Sequence, residues 1–106
     1  KTVFFDVDTQ IDFYSQLVRS TFGALTRFAA ANRILIISTA DAHSEDDPEF
    51  KTWKPHCVVG TTGQQKAAQT LLDRPLILSS ALGSLDAIRS GIAGAAQIIV
   101  EKQALD

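Results

Sequence analysis

The chain is poor in several residue types, and each shortage excludes a class of protein. Its 106 residues include one cysteine, two histidines, three prolines and no methionine. A single cysteine cannot form an internal disulfide, and no signal-peptide pattern opens the sequence, so a cytoplasmic protein is expected. No apolar run approaches the roughly 20 residues that a membrane-spanning helix needs.

The chain also lacks a large excess of positive or negative charge. The formal net charge is −2 at pH 7, from 10 basic and 12 acidic residues. No cluster of lysine or arginine offers the basic patch that nucleic acids and anionic membranes require. We therefore expect a single domain, 1–106, whose partners are small molecules or proteins, with no nucleic acid and no membrane.

The hydrophobic pattern alternates between buried strands and amphipathic helices. Short apolar runs that are rich in β-branched residues predict strands at 2–7, 33–39 and 97–101. Apolar residues at helical spacing predict helices at 14–32, 64–72 and 82–95. Between them, 44–63 is a long loop and 74–79 is a strand or an extended connection. Buried strands that alternate with helices predict an α/β fold with a parallel sheet and right-handed crossovers.

Three charged residues lie close to the carboxyl ends of predicted strands. Asp8, Asp41 and Lys102 each lie just past a carboxyl end. In open α/β sheets the functional site lies beyond these ends. The three side chains should therefore converge on one site at the carboxyl end of the sheet, which we call the mouth. We therefore predict that Asp8 and Lys102 meet, although they are far apart in the sequence.

The two histidines share one loop region with a carboxylate. Asp41 and His43 are two residues apart, so in an extended segment their side chains point the same way. His56 follows in a loop that Pro55 restricts. Two imidazoles and a carboxylate suit Zn, Fe or Mn better than Ca or Mg. A lone Asp-x-His is more often a solvated turn, but the second histidine favours a divalent metal site.

Four segments together resemble the isochorismatase-like cysteine hydrolases, and among them the nicotinamidases. They are Asp8-Thr9-Gln10-Ile11-Asp12-Phe13, Asp41-Ala42-His43, Trp53-Lys54-Pro55-His56-Cys57-Val58-Val59-Gly60-Thr61-Thr62-Gly63 and the strand-terminal Lys102. The resemblance covers essentially the whole chain. It implies a three-layer, Rossmann-like parallel sheet with helices on both faces, of which this chain is the N-terminal part and lacks the C-terminal part.

The resemblance also implies an activity, the cleavage of a small carboxamide such as nicotinamide to the acid and ammonia through a thioester. By position, Asp8 would be the catalytic base and Lys102 its cationic partner. Asp41, His43 and His56 would hold the metal.

The pocket of such an enzyme would bind a flat ring between aromatic side chains. By the same resemblance, Phe13 and Trp53 would sandwich the substrate, a role that their large apolar faces suit. Gln10 would support the site by hydrogen bonding. Because the relatives commonly associate, a homo-oligomer is expected.

The chain departs from the family pattern at several places. The nucleophilic cysteine of the relatives follows a later strand, so Cys57 is not that residue and is expected to be a small apolar filler. No further histidine lies in 44–50, where Asp47, Glu49 or water would complete the metal shell. Lys54 replaces a usual proline, and the Pro/Gly-rich loop expected after Phe13 is missing.

Two other interpretations remain open. Phe5-Asp6-Val7-Asp8-Thr9 also resembles the D-x-D-x-T opening of haloacid-dehalogenase-type phosphatases, in which the first Asp is phosphorylated. That interpretation gives no account of the histidines, and the acidic pair that should close its Mg site is absent after Lys102. A chain without the nucleophile would also suit a non-catalytic member of the hydrolase family. The substrate is open among nicotinamide, other small amides, carbamoyl compounds and isochorismate.

Overall fold

Four parallel strands form the sheet of this protein, in the order β1-β2-β4-β3. The computed structural model describes residues 1–13, 16–79 and 83–104. The strands are β1 (Val3–Val7), β2 (Leu35–Asp41), β3 (Leu76–Leu78) and β4 (Gln97–Lys102). The helices of these ranges are α1 (Gln16–Ala31), α2 (Leu85–Gly94) and the 3-10 helices Ile11–Phe13, Pro48–Lys51, Thr62–Gln64 and Ala68–Thr70. None of them is long and apolar enough to cross a membrane. The predicted α/β class with a parallel sheet is confirmed.

The topology assigns the two α-helices to opposite faces of the sheet. The connection through α1 leads from β1 to β2, and the connection through α2 leads from β3 to β4, in the opposite direction across the sheet. Such crossovers are almost always right-handed. Two crossovers that run in opposite directions across the sheet therefore place their helices on opposite faces. On the α1 side, the ring of Phe28 stacks on that of Phe4 in β1 at a centroid distance of 6.2 Å.

The ends of the elements differ slightly from the predicted ones. β2 begins and ends two residues later than 33–39, so Asp41 is the last residue of the strand and not the first one after it. Lys102 likewise belongs to β4. Outside the described residues lie the predicted helix starts, Tyr14 and Leu82, and the side chains of Leu17 and Val18.

The helix predicted at 64–72 is wrong. The segment contains the end of one 3-10 helix, Thr62–Gln64, and the whole of another, Ala68–Thr70. Between them the backbone pairs with the chain just after β1, where the N–H of Ala67 donates to the carbonyl oxygen of Thr9 at 2.8 Å. Backbone groups that pair in this way cannot form the i to i−4 bonds of an α-helix. The tertiary contact therefore overrides the helical spacing of the side chains.

One side of the molecule leaves apolar side chains open to solvent. β1 is an edge strand, and Val3, Phe5 and Val7 on one of its faces are 45–64% exposed. Parallel sheets are ordinarily covered on both faces. In the described residues, this face of the edge strand β1 is therefore apolar and uncovered.

Candidate active site and metal centre

The carboxyl ends of β1, β2 and β4 bring three charged side chains into contact. Lys102 Nζ lies 3.2 Å from Asp8 Oδ2 and directly contacts Asp41 Oδ1. Since β2 separates β1 from β4, the lysine spans two strand spacings, about 9.6 Å, and meets Asp41 on the way. The predicted contact between Asp8 and Lys102 is confirmed, whereas the contact with Asp41 was not predicted.

Hydrogen bonds and charge favour the ammonium form of Lys102. Burial lowers its pKa, but hydrogen bonds to Asp41 and Asp8 and the charges of these carboxylates raise it, and the net pKa is higher than the usual 10.5. Asp8 Oδ1 accepts a further hydrogen bond from the hydroxyl of Thr39 at 2.8 Å. Each oxygen of Asp8 therefore has one donor. Thr39 was missed from the sequence, although it is a polar residue near the carboxyl end of β2.

The backbone of Asp8 has an uncommon conformation. Its φ of 52° lies in the left-handed region, which non-glycine residues rarely occupy and which is often found at functional sites. Its N–H donates to the carbonyl of Thr39 at 3.1 Å, and its carbonyl accepts from the N–H of Gln10 at 2.8 Å. These bonds fix the turn after β1 and direct the carboxylate to the mouth.

Asp41, His43 and His56 form a second group at the same mouth. One ligand atom from each lies within 4.8 Å of the others. Asp41 Oδ2 is 3.5 Å from His43 Nε2 and 3.8 Å from His56 Nε2. Glu49 Oε2 is 3.2 Å and 3.3 Å from the same two nitrogens. Two ligands of a tetrahedral ion with bonds of about 2.1 Å are about 3.4 Å apart, so Asp41, His43 and His56 can share one ion, and Glu49 lies close to both imidazoles.

The far nitrogens of both imidazoles face hydrogen-bond acceptors. His43 Nδ1 lies 2.9 Å from Asp47 Oδ2, and His56 Nδ1 lies 2.7 Å from the carbonyl oxygen of Lys54. With the protons on Nδ1, both Nε2 atoms carry lone pairs. His43 Nε2 is buried and makes no hydrogen bond to the part of the chain that the structure describes. A buried polar atom of this kind calls for a ligand, and the donor set fits a divalent ion.

Gln10 and Asp12 hold in place the segments that carry Asp41 and His56. Gln10 is fully buried, its amide nitrogen donates to the carbonyl of Asp41 at 2.8 Å, and its amide oxygen accepts from the N–H of Asp41 at 2.7 Å. Gln10 is therefore placed to support Asp41 and does not line the cavity. Asp12 Oδ2 accepts from the N–H of Cys57, next to His56, at 2.7 Å. This contact was not predicted, although Asp12 lies in the same D-x-Q-x-D motif.

A cavity of about 740 Å³ opens beside the charged groups. Asp8, Asp41 and His56 contribute to its wall, as do the aromatic side chains of Phe13 and Trp53. Both aromatic residues are about half exposed, so neither belongs to the core. Their rings offer flat apolar surfaces next to the polar groups, which is an arrangement that can hold a planar ligand.

The thiol of Cys57 is buried and unreactive. Its side chain is fully buried. Burial raises the pKa of the thiol to about 12, and the carboxylates of Asp12, Asp41 and Asp8 contribute to the rise. Such a thiol is hardly ionised at neutral pH and is a poor nucleophile. The position agrees with the filler role that the sequence predicted.

This sheet, with its charged mouth, has the fold of the isochorismatase-like hydrolases that the motifs predicted. A pyrazinamidase/nicotinamidase from Streptococcus mutans UA159 matches 97% of this chain with a TM-score of 0.67 at 19% identity. A nicotinamidase from Bacillus subtilis matches 97% with a TM-score of 0.62 at 20% identity. An N-carbamoylsarcosine amidase from Thermoplasma acidophilum matches 98% with a TM-score of 0.61 at 16% identity.

These similarities establish the fold, and they extend over part of each solved structure. The chain spans 57%, 56% and 53% of the three solved chains, respectively. No protein-family model and no curated protein matches it. The phosphatase alternative is not favoured. Asp6, its required nucleophile, pairs instead with Lys66 at 2.8 Å and accepts a hydrogen bond from Thr9 at 2.7 Å.

Proposed function

We propose that this chain forms the acid-base and metal-binding part of an amidase that cleaves a small carboxamide. The observation that supports this function is that the two groups at the mouth share one residue. Asp41 contacts Lys102 through Oδ1 and faces the histidines through Oδ2. Nicotinamide, pyrazinamide and N-carbamoylsarcosine are the first substrates to consider, because solved structures with this fold are named for acting on them.

The proposed reaction needs a thiol from outside the described residues, since the only cysteine of the chain is the buried Cys57. That thiol gives its proton to Asp8, and the thiolate attacks the carboxamide carbon. The C–N bond breaks, and ammonia leaves with the proton that Asp8 returns. Asp8 then takes a proton from water, whose oxygen attacks the thioester, so the acid is released and the proton returns to the thiol. Lys102 balances the charge of Asp8 whenever Asp8 is ionised.

The remaining residues would bind and orient the substrate. Asp41, His43, Glu49 and His56 would hold a divalent ion, for which Zn, Fe and Mn are the candidates. A bound ion would supply Lewis-acid polarisation of a substrate heteroatom. Phe13 and Trp53 line the cavity and would fix the plane of a ring.

A non-catalytic role is the second candidate, and one observation favours it. The thiol of Cys57, next to the histidine His56, is fully buried, and its pKa is raised to about 12, so it is unreactive. In that role the protein would bind the ion and release no ammonia from any amide.

The experiment is a measurement of ammonia release by the full-length protein after loading with zinc, iron(II) or manganese. We expect release from at least one of nicotinamide, pyrazinamide and N-carbamoylsarcosine. Asp8→Asn should lower kcat by about 10²- to 10⁴-fold, the usual contribution of a positioned proton-transfer group. Asp73→Asn, at an exposed position, is the matched control and should leave kcat unchanged. Metal binding without ammonia release from these amides would reject the amidase and favour the non-catalytic role.

A further inference from the structure

We propose that Asp47 is a positioning residue of the metal centre, which fixes the tautomer of His43 and the place of Glu49. The inference rests on the metal site of the proposed function. One carboxylate would thus orient two of the four proposed metal ligands, His43 and Glu49. Asp47 itself does not bind the ion.

Both oxygens of Asp47 are used by neighbours of the metal position. Oδ2 lies 2.9 Å from His43 Nδ1, and Oδ1 accepts from the N–H of Glu49 at 2.9 Å. Nδ1 and Nε2 lie on different sides of the imidazole ring, so a carboxylate bound at Nδ1 is kept away from an ion at Nε2. Asp47 thus differs from Glu49, whose oxygen approaches the Nε2 atoms of both histidines.

The bond to Nδ1 decides whether His43 can bind a metal. A neutral imidazole carries its proton on one nitrogen only, and Asp47 makes Nδ1 that nitrogen. Without Asp47, the proton could move to Nε2, which is 3.2 Å from Glu49 Oε2. With its proton on Nε2, the imidazole would have no lone pair there to offer an ion.

The bond to the backbone of Glu49 sets the second ligand. Asp47 is the N-cap of the 3-10 helix Pro48–Lys51, and its Oδ1 satisfies the N–H of Glu49 in the first turn. This turn places the Glu49 carboxylate 3.2 Å and 3.3 Å from the Nε2 atoms of His43 and His56. An asparagine at position 47 has only one acceptor oxygen, so it can satisfy one of these two donors and not both.

The test is a cobalt(II) titration of the purified protein, followed by visible absorption, together with ¹⁵N NMR of the histidine tautomers in the metal-free protein. We expect Asp47→Ala to weaken cobalt binding by about 10- to 100-fold, as for other groups that orient metal-bound histidines. Asp47→Asn should lie between Asp47→Ala and the wild type. Asp46→Asn removes the same charge at the exposed adjacent residue and should bind cobalt as the wild type does. The His43 proton should be on Nδ1 in the wild type and shift towards Nε2 in Asp47→Ala.

Several results would overturn the inference. Equal cobalt affinity in the wild type and Asp47→Ala would do so, as would an Nε2–H tautomer of His43 in the wild type or no cobalt binding by the wild type. If circular dichroism shows that Asp47→Ala is unfolded, Asp47→Asn replaces it in the comparison. Ammonia release that responds to Asp8→Asn and not to the Asp47 variants would reject this inference and leave the proposed function standing.

Discussion

Lys102→Met should destabilise the protein because it leaves two carboxylates without their shared cation. The ammonium of Lys102 lies 3.2 Å from Asp8 Oδ2 and in direct contact with Asp41 Oδ1. The side chains of Lys102, Asp8 and Asp41 are 23%, 19% and 9% exposed. Methionine keeps most of the aliphatic length of lysine, so the substitution removes mainly the charge.

The magnitude follows from the burial of the three groups. Removing one partner of a fully buried ion pair costs about 3–5 kcal/mol, because the other charge is left uncompensated. Partial exposure lets water solvate the remaining carboxylates, so we expect a loss of about 2–4 kcal/mol at pH 8. With a urea dependence of about 1.2 kcal/mol/M for a small protein, the unfolding midpoint should fall by about 2–3 M.

The pH dependence of this loss gives an independent check. The pKa of Lys102 is raised in the folded state, so its stabilising contribution is complete below the unfolded pKa of about 10.5 and is lost as the pH rises through the folded pKa. The difference between the wild type and Lys102→Met should therefore shrink above pH 10.5. Lys51→Met, at an exposed position, should change stability by less than about 0.5 kcal/mol. Equal urea midpoints for Lys102→Met and the wild type at pH 8 would refute the reasoning.

Three further predictions concern the thiol, a close packing contact and the metal. Cys57 should resist a thiol reagent such as DTNB at pH 8 in the native protein and react on unfolding, because its pKa is about 12; rapid native labelling would contradict this. Gly63→Ala should lower the free energy of unfolding by about 1–3 kcal/mol, since a Cβ there would lie 2.2 Å from the carboxylate of Asp12. Gly94→Ala meets nothing within 4 Å and is the control, so equal losses in the two alanine variants would reject the contact. Zinc at 100 times its dissociation constant should add about 2.7 kcal/mol of stability, and His43→Ala should abolish the gain; an undiminished gain would remove His43 from the site.

The sheet and the convergence of its charged residues could be predicted because they depend on short-range signals. Short apolar runs predict strands. Because parallel strands run in one direction, their last residues all lie at the same end of the sheet. That is why Asp8 and Lys102, 94 positions apart, could be placed together. The order of the strands was not accessible in the same way, so the position of Asp41 between them was missed.

The contacts made by loops could not be predicted, because their partners are distant in the sequence or depend on the local path of the chain. Apolar spacing in 64–72 does not reveal that Ala67 pairs with Thr9. Asp47 was a candidate for the metal shell, but the sequence did not reveal that it contacts His43 through Nδ1. Only the turn into the helix Pro48–Lys51 brings Asp47, and not its neighbours, to His43.

Asp41 joins the two halves of the site, and this explains why its backbone is held so firmly. The side chain of Gln10 makes hydrogen bonds to the backbone N–H and the carbonyl oxygen of Asp41. The carboxylate of Asp41 can therefore face Lys102 with one oxygen and the histidines with the other. A displacement of Asp41 would therefore move one of the proposed metal ligands and also change the charge around Asp8. In the proposed amidase, a thiol would have to approach Asp8 from a side that neither Lys102 nor the two histidines occupy. The cavity extends from Asp8 along β1, where Phe5 is uncovered, so in the proposed amidase a thiol would approach Asp8 from this side.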